Sequence, residues 1–126
     1  MRRYFNWTLA VVALVVAGIA AGVYLPASSA STTKTDASKV TINVTATEWA
    51  FKLSKRSVPV GTTVAFKVTN KGKIGHDFKI AGKKILILAP GQSNTLTVKL
   101  KKGSYKYLCT VPGHAASGMK GTFKVS

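Results

Sequence analysis

The sequence predicts an all-β fold: a two-sheet antiparallel Greek-key sandwich of about eight strands over residues 40–126, preceded by an N-terminal signal or anchor helix. Three observations carry this expectation. Long segments alternate apolar with polar residues, the period of a strand with one buried face. Turn-forming residues separate those segments at short intervals. No segment after residue 39 keeps a helical period over a useful length, although a single turn near residues 115–118 is expected.

Arg2 and Arg3 form a basic start, residues 7–25 carry no charge, and Ser28-Ser29-Ala30 places small residues where a signal peptidase cuts. Residues 1–30 therefore read as a signal peptide removed after Ala30. The uncharged run is also nearly long enough to span a bilayer, so an uncleaved membrane anchor is the alternative. Both readings place the domain outside the cytoplasm, in a periplasm or on the outer face of the cytoplasmic membrane. The run contains no cysteine to acylate, which excludes a lipoprotein. Residues 31–39, rich in Ser, Thr and Lys, read as a flexible linker.

The first strand follows from Val40, Ile42, Val44 and Ala46 alternating with Thr41, Asn43, Thr45 and Thr47. Two further long strands follow from Val64, Phe66 and Val68, and from Leu96, Val98 and Leu100. Shorter strands are expected at residues 49–53, 78–80, 84–88, 104–109 and 121–125. Between them fall Pro59 and Gly61, Asn70 to Gly72, Ala81-Gly82, Pro90-Gly91 and Lys102-Gly103, all turn chemistry. Trp49, near a strand start, reads as a core aromatic.

Residues 109–119 hold the sole cysteine, one of two histidines and one of two methionines, as Cys109, His114 and Met119. A thiolate, an imidazole and a thioether on one loop suit copper, and one more imidazole completes a two-His, one-Cys trigonal site with a weak axial Met. His76 is the only other histidine. Zinc takes more Cys or His ligands, or a carboxylate, and Met serves it poorly. Strand parity gives a location. His76 shares parity with Phe78 and Ile80, Cys109 with Tyr105 and Tyr107, and Met119 with Phe123 and Val125. Those three ligands then point inward at one pole of the sandwich, with His114 covering the metal from outside.

At these residues the sequence resembles the cupredoxins, the small blue-copper electron carriers. The spacing Cys109-x4-His114-x4-Met119 is most similar to the azurin and auracyanin branch; plastocyanins have a shorter Cys-to-His step. The segment Gly75-His76-Asp77-Phe78 resembles the family's first-ligand segment, with Asp77 where Asn often stands. The resemblance implies the same sandwich, one type 1 copper, and His76, Cys109, His114 and weak axial Met119 as its ligands. It further implies the Gly75 carbonyl as a distant contact and an Asp77 N–H donated to the Cys109 sulfur. The Asp77 side chain is expected to bond Thr110 and tie the two ligand loops together. The patch Val111, Pro112, Gly113, Ala115 and Ala116 around His114 becomes the electron-transfer surface.

The formal net charge is +16, with Asp36, Glu48 and Asp77 the only acids. Such a field steers acidic redox partners. The lysines are scattered along strands and turns, without a compact basic run or nucleic-acid motif, so nucleic acid is not the expected partner. One cysteine forms no internal disulfide, and a monomer is expected. With both histidines spent on one site, a second copper centre of the kind nitrite reductases and multicopper oxidases need cannot be built, which argues against an enzyme. Copper storage or delivery without electron transfer is the alternative function.

Overall fold

The computed structural model describes Gly22 and residues 38–126; the expected signal or anchor segment and most of the linker lie outside the described residues. Among the described residues no helix is long and apolar enough to cross a membrane. The strands are β1 (Lys39–Thr47), β2 (Ala50–Leu53), β3 (Ser57–Val58), β4 (Thr63–Asn70), β5 (Lys79–Ile80), β6 (Lys83–Lys84), β7 (Ser93–Lys99), β8 (Gly103–Leu108) and β9 (Lys120–Val125). One sheet has the order β2-β1-β4-β7, the other β3-β9-β8-β5-β6.

The sheets are mixed, not antiparallel throughout. β1 runs parallel to β4 from Lys39↔Thr63 to Ala46↔Asn70, and β3 runs parallel to β9. The connectivity explains this. After β1 the chain returns as β2 on one side of it, visits the second sheet as β3, and re-enters the first on the other side of β1. It re-enters from the end where β1 began, so the pair is parallel. The strand expected at residues 84–88 shrinks to β6. Leu86 and Ile87 are exposed, so no alternation binds them to a ladder, and Leu88 pairs instead with His76.

The two sheets bury one face each. Ile42, Val44, Ala46, Val64, Phe66 and Val68 from the first meet Ile80, Tyr107, Phe123 and Val125 from the second. Phe66 lies at the middle, with ring centroids 5.3 Å from Phe78 and 5.1 Å from Phe123. Phe78 is in turn stacked on Tyr107 at 5.6 Å. Edge-to-face and offset aromatic pairs of this kind add specific geometry to apolar burial. They also stiffen the interior directly beneath one pole. At that pole β1 and β4 end, β8 ends and β9 begins, and the segments that follow or precede them carry the chemistry.

Candidate metal centre

Cys109 follows β8 and Met119 precedes β9, and the antiparallel pairing Leu108↔Lys120 sets them opposite each other. The Cys109 N–H donates to the Met119 carbonyl at 3.0 Å, closing the base of the loop. Within it the His114 N–H donates to Val111 O (3.1 Å), the Ser117 N–H to Gly113 O (3.1 Å) and the Met119 N–H to His114 O (3.1 Å). Gly113 (φ 84°) and Gly118 (φ 120°) take the left-handed backbone that these turns need. A Cβ at Gly118 would also lie 3.1 Å from the Trp49 carbonyl oxygen. His76 arrives from the β4–β5 connection, its N–H and C=O paired with Leu88 at 3.2 and 2.8 Å.

These segments bring three ligand atoms together. His76 Nδ1 is 3.1 Å from His114 Nδ1, which is 3.5 Å from Cys109 Sγ, and all three lie within 4.8 Å of one another. His76, Cys109 and His114 are all buried, and Met119 is fully buried at the closed base of the loop. The donor set fits a copper ion. Two imidazole nitrogens each about 2.0 Å from a shared ion can be about 4 Å apart at most, and an imidazole and a thiolate about 4.3 Å; the 3.1 Å between the two Nδ1 atoms and the 3.5 Å from His114 Nδ1 to Cys109 Sγ fall within that reach. The three atoms include no oxygen, so the cluster does not suit hard cations such as Mg²⁺ or Ca²⁺.

Around the ligands the backbone and two carboxylates form a frame. The Asp77 N–H points at Cys109 Sγ at 3.5 Å. Asp77 Oδ1 accepts the Thr110 N–H at 2.6 Å, and Oδ2 accepts the Thr110 hydroxyl. Lys84 Nζ approaches Asp77 Oδ2 at 3.6 Å and Thr110 Oγ1 at 3.4 Å. Asp77 therefore bridges the His76 segment to the Cys109 segment. On the other side of His76, Glu48 Oε1 lies 3.2 Å from Nε2. The same oxygen accepts the Lys73 N–H at 2.6 Å and the Ile74 N–H at 3.1 Å. Asn70, fully buried, donates to the Ile74 and Leu88 carbonyls at 2.7 and 2.8 Å and accepts the Gly72 N–H at 2.8 Å.

Residues 13–123 match the family of cupredoxin-like domains. The chain is a member of the cupredoxin-like family. Among solved structures, this cupredoxin is similar to dithionite-reduced auracyanin of the photosynthetic bacterium Roseiflexus castenholzii. The identity is 26%, with 71% of this chain and 98% of that one covered and a TM-score of 0.61. It is similar also to rusticyanin, described as a copper protein, at 25% identity, covering 70% of this chain and 78% of that one with a TM-score of 0.58. The rusticyanin of Thiobacillus ferrooxidans, at 24% identity, 70% and 77% coverage and a TM-score of 0.61, shares the fold. Comparison with curated proteins gives no match.

In this cupredoxin, burial pushes the Cys109 thiol up from its ordinary pKa, with the Asp77 and Val111 N–H groups opposing that rise. The metal-free thiol is therefore protonated at neutral pH, and taking up a metal releases the proton. Glu48 is pulled down to about 2, chiefly by the Lys73 N–H, with smaller contributions from the Ile74 N–H and His76. Its folded pKa lies below the unfolded one. It thus contributes stability that is complete above the ordinary carboxylate range and is lost as pH falls toward 2. Metal-free Glu48→Gln is expected to lose less stability than wild type between pH 5 and pH 2 in urea titrations. Parallel losses would show that the Glu48 contacts do not form in solution.

The surface around His114 differs from the expectation in one respect. Pro112, Gly113 and Ala116 are exposed, Val111 and Ala115 half-buried. Trp49 is not a core residue: it is 44% exposed and sets its ring edgewise against His114, centroids 4.9 Å apart. β2 begins only at Ala50, so Trp49 sits in the turn before it, at the pole. Gly75 lies half-buried beneath Ile87, whose Cγ2 would be 2.9 Å from a Cβ at that position. Glu48, Asn70 and Lys84 are the site residues that sequence reasoning missed. The rarity of acids was the one signal that could have pointed to Glu48.

Proposed function

We propose that the protein is an exported, mononuclear type 1 copper protein that carries single electrons between redox partners and is not an enzyme. The observation that carries this reading is the buried convergence of His76 Nδ1, Cys109 Sγ and His114 Nδ1 within 4.8 Å, next to the loop that ends at Met119. Family membership and the reduced form of the auracyanin relative support it. His76, Cys109 and His114 are the strong ligands, Met119 the weak axial one and the Gly75 carbonyl a distant contact. Copper supplies the one-electron couple between Cu(I) and Cu(II).

The chain supplies rigidity. The Cys109–Met119 backbone bond, the His76–Leu88 pair and the His114 N–H to Val111 carbonyl bond hold these ligands by their own main chains, and the Asp77–Thr110 bridge ties two of the ligand segments together. Ligands held in this way move little when the charge at the centre changes, which keeps the barrier to electron transfer low. The Asp77 N–H withdraws electron density from the sulfur and tunes the potential. His114 is the residue through which electrons enter and leave. Its surroundings, Pro112, Gly113, Ala116 and now Trp49, form a small apolar surface suited to brief docking.

The test is the visible absorption and EPR spectrum of the purified protein after addition of Cu(II). An intense orange-red band with narrow copper hyperfine splitting supports the reading. A pale product with ordinary splitting, or no binding, overturns it. We further propose acidic redox proteins as partners, drawn by the basic surface, and a site outside the cytoplasm, free or held by residues 7–25. Reduction by an acidic donor is expected to slow about tenfold or more as ionic strength rises from 0.01 to 0.1 M, because the screening length falls from about 30 to about 10 Å. Stopped-flow rates independent of salt would remove the steering role.

A further inference from the structure

We infer that Glu48 is a positioning residue for the metal centre: its carboxylate holds the His76 ring by Nε2, leaving Nδ1 free as a strong metal donor, and its charge favours the oxidised state. The inference rests on the copper reading above. Three observations converge on it. The Glu48 oxygen that meets His76 Nε2 at 3.2 Å is itself fixed by the Lys73 and Ile74 N–H groups, so the acceptor is held in place before the ring arrives. Gly72 leaves the space in which they meet: a Cβ there would lie 2.9 Å from His76 Nε2 and would overlap the Glu48 carboxylate. The loop carrying Gly72 is in turn set by buried Asn70 through three hydrogen bonds.

The charge distribution makes the contact more telling. Glu48 and Asp77 are the only carboxylate side chains in residues 38–126, and both lie against the ligand set. The parallel register of β1 and β4 does this for Glu48. Ala46 pairs with Asn70, so the residue just beyond β1 faces the turn just beyond β4. A carboxylate accepting the outer N–H of a ligating imidazole fixes its tautomer and raises its basicity, and losing such a partner typically costs about 10–100-fold in metal affinity. A more basic imidazole and a nearby negative charge favour Cu(II) over Cu(I), so Glu48 lowers the reduction potential.

The experiment compares wild type with Glu48→Gln and Glu48→Ala. Gln keeps an oxygen for the Lys73 and Ile74 N–H groups and removes only the charge; Ala removes both. Glu48→Gln is expected to lose about tenfold of its preference for Cu(II) over Cu(I), an upward shift of about 59 mV for one electron, beyond whatever it loses in stability of the metal-free protein. Glu48→Ala is expected to shift the potential further and to alter the copper hyperfine pattern. Nitrogen-15 spectra of the metal-free wild type are expected to show His76 protonated on Nε2.

A His76 proton on Nδ1, or a Glu48→Gln variant with wild-type potential and wild-type Cu(II) affinity, overturns the inference. So does a pair of variants that change only the melting temperature. Wild type lacking the intense band overturns the copper reading and this inference with it. Wild type with the band but without the Glu48→Gln shift overturns this inference alone.

Discussion

Cys109→Ser is expected to erase the intense visible band and to reduce Cu(II) affinity by more than about 100-fold, beyond the loss typical for a residue behind the ligands. A serine hydroxyl neither ionises near neutral pH nor offers the soft donor that copper prefers. The fold should survive. Cys109 is 1% exposed, and the smaller hydroxyl fits its place and can accept the Asp77 N–H that now points at sulfur. The melting temperature of the metal-free variant should therefore stay within a few degrees, a change of about 1 kcal/mol or less. Absorption, EPR and calorimetry on the same preparations check all three statements. A surviving band would place the chromophore elsewhere.

Asp77→Ala is expected to have the largest effect on stability among the site residues. It leaves the Thr110 N–H and hydroxyl without their acceptor and Lys84 without its ion-pair partner. Unpaired donors cost about 1–3 kcal/mol each when water does not replace the partner, and Thr110 is half-buried. A loss of about 2–4 kcal/mol lowers the melting temperature by about 8 °C or more in a domain of this size. The tie between the His76 and Cys109 segments goes with it, so the reduction potential should shift and the spectrum broaden. Asp77→Asn, which keeps the acceptor for the Thr110 N–H, should fall between. An unchanged potential and spectrum in Asp77→Ala would limit the residue to a structural role, without tuning of the metal centre.

The alternation of Ile42, Val44 and Ala46, and of Val64, Phe66 and Val68, was enough to read β1 and β4, because burial of one strand face is written residue by residue. Which strands become neighbours is not written that way. Both parallel pairings went unread for that reason, and with them the approach of Glu48 to His76 across 28 positions of sequence. The ligand residues were legible because three of them fall in one short segment and the chain offers only one other histidine. Lys84 was not, since Lys79 lies closer to Asp77 in sequence; the hairpin of β5 and β6 delivers Lys84 instead. Trp49 misled because aromatic character predicts burial on average, whereas position at the pole decides it here. β3, two residues long, is too short for any period to show.

Of the two carboxylate side chains in residues 38–126, Asp77 is buried and Glu48, though exposed, is engaged by His76, so the outward charge of that stretch is overwhelmingly positive. Two copies would each carry that net positive charge, and their encounter would be repelled at low salt. On the proposed electron-carrier function, self-exchange between identical molecules is expected to be slow at low salt, where exchange with an acidic donor is expected to be fast. The same charge that would draw an acidic donor would thus keep identical copies apart.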